Sequence, residues 1–307
     1  LMIRLPPRST RKESSAASDV YKRQTVKRIE DLDEDYLKRF LELEPKLDAG
    51  IVIGGPPCQG FSALNSARKG FDDPRSGGVS EFVRVCHMTQ IVAPHIHWDY
   101  VMENVSSMTS SVKDCISEIV KPAGLTHCVW FDAAMVSPVS RPRYYWTSFE
   151  TRIELQEDLL HLEGIENDNY LNSSQGFLDP GVKKCESGPF PTAVRWIPRS
   201  KPPPDPRGLD YCEPEAIQRW EESGYAMPPY QFREKNCVVT PEGEIRPPNA
   251  RERERMHGYA AGHTEGAYDV PSNPIVPAPH SEARRVSFLG NTFHCVVVAY
   301  LLGPWAL

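Results

Sequence analysis

The chain has 307 residues, 40% of them hydrophobic and 25% charged, with a formal net charge of -6 and a pI near 5.9. That size and balance support one large or two modest globular domains, and no uninterrupted apolar run nears the roughly 20 residues of a membrane helix, so a soluble protein is expected. The acidic balance argues against coating nucleic acid through bulk positive charge; any such contact must be local.

Residues 1–24 mix Arg, Lys, Ser and Pro without hydrophobic periodicity, Ser14 to Gln24 resembles translated adapter sequence, and the segment is expected to be disordered or artefactual. Leu32, Tyr36, Leu37, Phe40 and Leu41 recur at helical spacing, predicting a helix from Leu32 to Leu43 that Pro45 closes. The β-branched run Gly50 to Gly55 reads as a buried parallel strand opening into a Gly/Pro loop. A helix follows over Val79 to Val92, with Phe82, Val83 and Cys86 along one side, then a strand over Trp98 to Met102 that ends in the polar pair Glu103-Asn104. Val112 to Val120 is helical again, and Thr126 to Met135 with Arg143 to Phe149 suggests an antiparallel strand pair. Strand, helix, strand, helix, strand is the pattern of an open α/β sheet, whose ligands sit at the carboxyl ends of the strands.

After Phe149, Pro and Gly become frequent and helical periodicity is mostly lost, which predicts a second, irregular domain. The apolar stretch Phe293 to Leu302, introduced by Gly290-Asn291-Thr292, is expected to form a helix that returns to the first domain. The resulting boundaries are 25–150, 151–280 and 281–307. Eight cysteines without a C-x-x-C pair suggest a reduced, intracellular chain without structural zinc. His95 with His97, and Cys86 with His87, read as residues flanking a strand rather than as a metal site.

The central motif is Gly54-Gly55-Pro56-Pro57-Cys58-Gln59-Gly60-Phe61-Ser62. A cysteine just past a buried strand, on a stiff loop with exposed backbone, suits a thiolate nucleophile, although a cysteine taken alone is more often a small buried hydrophobe. Glu103-Asn104-Val105 offers a carboxyl group at the next strand end, able to hydrogen-bond and protonate a ring nitrogen. Arg141 and Arg143, at i and i+2, would face the same way on a strand. Arg246, Arg251, Arg253 and Arg255 alternate with acids, so a salt-bridged helix face is their default reading, with contact to DNA phosphates as the alternative. Arg195, Arg199, Lys201 and Arg207 with Trp196 and Tyr211 form a basic, aromatic patch suited to a groove.

The string around Cys58 resembles the nucleophile motif of the cytosine carbon-5 DNA methyltransferases. Glu103-Asn104-Val105, Arg141 with Arg143, Arg251 to Tyr259, and Gly290-Asn291-Thr292-Phe293 resemble further motifs of that family. The resemblance implies a Rossmann-like S-adenosylmethionine-dependent methyltransferase sheet with a smaller irregular target-recognition domain. It also implies methyl transfer to carbon 5 of a cytosine flipped out of double-stranded DNA. Cys58 would attack carbon 6, Glu103 would stabilise the protonated ring, and Arg141 and Arg143 would hold the base and its phosphate. Pro56, Pro57, Asn291 and Thr292 would meet S-adenosylmethionine, while Gln59, Ser62, Asn104, Arg195 and Arg199 would meet DNA.

The family's glycine-rich cofactor loop and ribose-binding acid precede the nucleophile, whereas no glycine occurs here before Gly50. Gly77-Gly78 also stands where the family presents an apolar residue to the cofactor. The expectation is a sheet incomplete in its N-terminal half, with an exposed edge beside the Cys58 strand, and a fragment inactive by itself. The implied location is intracellular, nuclear if eukaryotic, with homo- or hetero-oligomers open. The rival readings are an RNA (tRNA) methyltransferase of the same fold, a non-catalytic DNA-binding regulatory paralogue, and a dinucleotide-dependent oxidoreductase, which the lack of G-x-G-x-x-G disfavours.

Overall fold

A computed structural model describes residues 28–43, 45–57, 60–61, 77–151, 176–193, 201–204, 206, 208–266 and 282–303. It divides into two compact units, Leu1–Trp130 with Arg143–Thr151, and Phe131–Pro142 with Arg152–Leu307.

The first unit holds helices α1 (Glu34–Leu41), α2 (Gly78–Val92) and α3 (Ser110–Val120) with strands β1 (Ala49–Gly54) and β2 (His97–Val105). Strand β3 (His127–Asp132) and strand β5 (Pro142–Thr147) complete a four-stranded sheet in the order β1-β2-β5-β3. β1 and β2 run parallel, linked by α2, and β2 pairs antiparallel with β5. The helix starts follow from capping: Asp33 accepts the Tyr36 N–H at 2.7 Å, and Thr109 accepts that of Val112 at 3.4 Å. Phe82, Val85, Cys86, Met88 and Thr89 form the buried side of α2, which packs on Val52, Trp98, Tyr100 and Met102. Thr89 and Tyr100 bond through their hydroxyls at 2.9 Å, so the polar atoms inside this layer are satisfied. Among the described residues β1 lies at one end of the strand order.

Two glycines are dictated by close packing. A Cβ at Gly54 would lie 2.3 Å from the Phe82 ring, and one at Gly78 would lie 2.7 Å from Pro57 Cδ, so the start of α2 sits directly on the Pro56-Pro57 loop. The second contact gives a packing reason for Gly78 at the position where the resemblance led to an apolar residue.

The second unit contains strand β4 (Val139–Ser140), paired parallel with β7 (Phe190–Pro191), and a sheet of β6 (Lys183–Lys184), β8 (Val238–Val239) and β9 (Ile245–Arg246). Its helices are α4 (Pro214–Glu222), α5 (Ala250–Met256), α6 (Glu282–Asn291) and α7 (Cys295–Leu302). Helical structure is therefore more extensive here than periodicity suggested. α4 starts with proline in its first turn and buries Ala216 and Trp220, one helical turn apart, with Trp220 Nε1 donating to the Met227 carbonyl at 2.7 Å.

α5 is the polar hub of this unit. Asn249 and Glu252 form a reciprocal capping box, and Arg246 reaches both oxygens of the fully buried Glu252, at 2.8 and 3.2 Å. Arg255 pairs with Asp179 at 2.7 Å and Arg251 with Glu265 at 3.0 Å, while Arg253 is buried against the Pro248 carbonyl and Gln231. Glu254, also fully buried, accepts from the backbone of Gly262 and Thr264, from the Thr264 hydroxyl and from Arg285. The alternating arginines thus have internal partners, as the salt-bridged reading required.

Arg284–Leu302 is long and apolar enough by composition to span a membrane, yet it is two helices with Thr292–His294 non-helical between them. Arg285, Leu289, Val297 and Leu301 are buried within the unit, as the core of a folded domain demands.

Candidate active site

The first cluster forms where β1 and β2 end side by side. Their parallel register pairs Gly54 with Met102, which brings the next residues, Gly55 and Pro56, beside Glu103 and Asn104. Glu103 and Asn104 belong to β2, which continues three residues past the predicted end at Met102 because β5 pairs with it through Val105.

Asn104 is 1% exposed, donates from Nδ2 to the Pro56 carbonyl at 3.4 Å, and accepts the Val105 N–H at 2.9 Å. The buried amide ties the Pro56 loop to β2, as expected of a residue that shapes this loop; its assignment to DNA rests on the resemblance alone. Glu103 and Arg143 lie diagonally on one face of the β2/β5 pair, Arg143 standing opposite Val105 and Glu103 opposite Tyr145. Arg143 Nε donates to Glu103 Oε1 at 2.6 Å, with about a tenth of each side chain exposed. A nearly dry, charge-assisted pair of this kind fixes the carboxylate's orientation.

Arg141 departs from expectation. β5 begins at Pro142, so Arg141 precedes the strand, and the i, i+2 same-face rule does not govern it. It belongs to the second unit, is 3% exposed, and donates from Nη1 to the Gly290 carbonyl at 3.1 Å and from Nη2 to that of Thr292 at 2.5 Å. There it pins the turn between α6 and α7.

That turn carries Asn291 and Thr292. Thr292 Oγ1 shares a hydrogen bond with Tyr259 Oη at 2.7 Å, and Tyr259 also donates to the Phe293 carbonyl at 3.0 Å. Burial, the larger effect, raises the Tyr259 phenol well above its usual range, so it acts as a neutral donor. Asn291 donates to Ser287 of its own helix at 3.1 Å. A Cβ at Gly290 would lie 2.5 Å from the Ala193 carbonyl, which explains the glycine. Tyr259 was visible in the sequence only as the last residue of the arginine motif.

Within the second unit the Thr292 hydroxyl is engaged by Tyr259 and the Asn291 amide by the Ser287 carbonyl.

Cys58, Gln59, Ser62, Arg195 and Arg199 lie outside the described residues. Of the basic, aromatic patch, Lys201 and Tyr211 are described and both are exposed. His97 pairs with Asp99 at 3.0 Å, Cys86 is buried, and among the described residues no group of three or more His, Cys, Asp or Glu is placed to hold a metal.

Residues 10–122 match the family model described as C-5 cytosine-specific DNA methylase. Two curated relatives are the Type II methyltransferase M1.HphI of Haemophilus parahaemolyticus and the Type II methyltransferase M.AquIA of Picosynechococcus sp. The first is 45% identical over 78 residues, 25% of this chain and 18% of the relative. The second is 48% identical over 62 residues, 20% of this chain and 22% of the relative. The chain thus spans about a fifth of the length of these relatives. Among solved structures, the Dnmt2 methyltransferase of S. pombe aligns over 91% of this chain and 83% of its own, with 14% identity and a TM-score of 0.46.

Proposed function

We propose that this chain, whose residues 10–122 match the C-5 cytosine-specific DNA methylase model, carries the nucleophile and base-activating residues of a DNA cytosine carbon-5 methyltransferase. The observation that supports this most directly is the meeting of the Pro56-Pro57 loop with Glu103 and Asn104 at adjacent strand ends, with Arg143 on Glu103.

Cys58 follows Pro57 directly in the sequence, and just before it the Pro56 carbonyl is held by Asn104 and both prolines rest on Gly78. Its thiolate adds to carbon 6 of a flipped-out cytosine, because that atom is out of reach inside the stack. The electron pair of the carbon 5–carbon 6 bond shifts into the ring, and the protonated Glu103 carboxyl passes its proton to ring nitrogen 3, so that negative charge does not accumulate there. Arg143 holds Glu103 Oε1, leaving Oε2 as the oxygen assigned to the base. Carbon 5 then becomes nucleophilic, ready for a methyl group, for which the family implies S-adenosylmethionine as donor. Arg195 and Arg199 are assigned to DNA.

The test is a duplex carrying 2-pyrimidinone in place of the target cytosine, whose carbon 6 accepts a thiolate without methyl transfer. A protein–DNA adduct that survives denaturing electrophoresis is expected with the native chain and not with Cys58→Ser. Equal adduct from both proteins overturns the assignment of Cys58, and adduct with a modified tRNA but not with DNA overturns the assignment of substrate.

A further inference from the structure

The second unit sets two cysteines against each other that methyl transfer does not use. Strands β6 and β8 pair antiparallel with Lys183 opposite Val239 and Lys184 opposite Val238, and one step further the Cys185 N–H donates to the Cys237 carbonyl at 3.1 Å. Cys185 and Cys237 therefore stand opposite each other, and opposed residues in a ladder project from the same face. One bond crosses between them, the Cys237 N–H going to the Glu234 carbonyl at 2.9 Å, and opposed Cα atoms in an antiparallel ladder lie about 4.5–5.5 Å apart, inside the span of roughly 4.4–6.8 Å that a disulfide bridges. Both thiols are free; Cys237 is fully buried and Cys185 half-buried, so a reagent reaches one and not the other.

The surroundings couple the two thiols. Arg219 donates to the Phe232 carbonyl from Nε and Nη2, at 3.2 and 2.9 Å, and Cys237 Sγ lies 3.5 Å from the same oxygen. The Arg219 charge favours the thiolate at both cysteines. Glu234 faces both and opposes it, Lys184 and Glu186 face Cys185, and Arg253 faces Cys237. A buried cysteine alone is best read as a small hydrophobe; an opposed pair with one accessible member beside a shared cation is a different arrangement.

We propose that Cys185 and Cys237 form a reversible disulfide site, oxidised by low-molecular-weight disulfides of the glutathione type. The Cys185 thiolate attacks one sulfur of the oxidant, forming a mixed disulfide and expelling one thiolate. Cys237 then gives up its proton and attacks the Cys185 sulfur, expelling the second thiolate. Two protein thiols are oxidised, one external disulfide is reduced to two thiols, and the two S–H protons pass to the expelled thiolates. Burial raises both protein thiols, Cys237 to about 12, so the reaction is slow near neutrality and accelerates about tenfold per pH unit below the thiol range. This inference is independent of the methyl-transfer reading.

The experiment is incubation of the full chain with oxidised glutathione at pH 7 and pH 9, alkylation of the remaining thiols, and peptide mapping without reduction. The expected product is a peptide pair joined through Cys185 and Cys237, two hydrogens lighter than the separate peptides, formed faster at pH 9. It is lost on treatment with dithiothreitol and absent from Cys185→Ser, a mild change at a half-buried position. Cys185 carrying glutathione while Cys237 remains alkylatable overturns the proposal, as does finding both thiols alkylated after the pH 9 incubation.

Discussion

Acidification from pH 7.5 to 4.5 should destabilise the second unit, chiefly through two buried imidazoles. The His257 and His294 rings lie 5.3 Å apart, both nearly inaccessible. His257 Nδ1 donates to the Arg253 carbonyl at 2.8 Å, and His294 Nε2 donates to that of Met256 at 3.0 Å. Burial first, and then the Arg141 charge, hold His294 down at about 4. His257 is pushed well below 6.5 by burial, then Arg141 and His294, with a smaller contribution from Arg253. In the unfolded chain both rings take a proton near 6.5, whereas the folded unit refuses it at His294 until about pH 4. The contribution is therefore complete above pH 6.5 and is lost as pH falls toward 4.

For His294 that gap corresponds to about 3 kcal/mol, and His257 adds to it with the same sign. Small domains are stable by roughly 5–15 kcal/mol, so the loss should show plainly. The carboxylates act later: Glu254 and Asp179 sit below 4.5 and 3.8, because their hydrogen bonds and arginine partners outweigh the burial that opposes ionisation. Urea midpoints measured at intervals across the pH range, with hydrogen exchange assigning the change to residues 250–264 and 282–302, are the assay. A midpoint flat between pH 6.5 and 4.5, or a His294 ring proton titrating near 6.5 by NMR, refutes the reasoning.

Three further outcomes follow from described contacts. Glu103→Gln should slow adduct formation with the 2-pyrimidinone duplex by roughly a hundredfold, the loss typical when a proton donor is removed; an unchanged rate by quenched gel assay would return Glu103 to a structural role. Gly54→Ala sets a methyl group 2.3 Å from the buried Phe82 ring and should cost about 1–3 kcal/mol in the urea midpoint of the first unit. Glu252→Ala removes a fully buried carboxylate that serves Arg246 and the Asn249 cap, and about 3 kcal/mol should be lost from the second unit, measured the same way.

The strands and helices of the first unit were legible because their cores are short apolar runs between breakers, as at Gly50 to Gly55, or carry a clear 3.6-residue period. The end of β2 was misjudged at Met102 because Glu103 and Asn104 look like loop residues until β5 pairs with them. α4 was missed because a nine-residue helix among prolines leaves a weak periodic signal, although Pro214 and the Ala216/Trp220 spacing mark it. Of the candidate site, Glu103 and Arg143 meet as neighbours on β2 and β5. Arg141 is given to the substrate by the resemblance and its i, i+2 spacing, and Asn104 to the loop and to DNA, yet no local pattern reveals that the Pro56 carbonyl, or those of Gly290 and Thr292 some 150 positions away, takes their donors.

The Glu254 carboxylate has a kinetic consequence for the second unit. One buried side chain on α5 receives donors from the 262–264 turn and from Arg285 on α6, so none of the three stretches can detach without stranding a charge away from water. Local fraying is thereby suppressed, and the three should open together as one cooperative segment. Their amide protons would then share a single opening free energy, leaving the segment poorly accessible to proteases until the whole of it lets go.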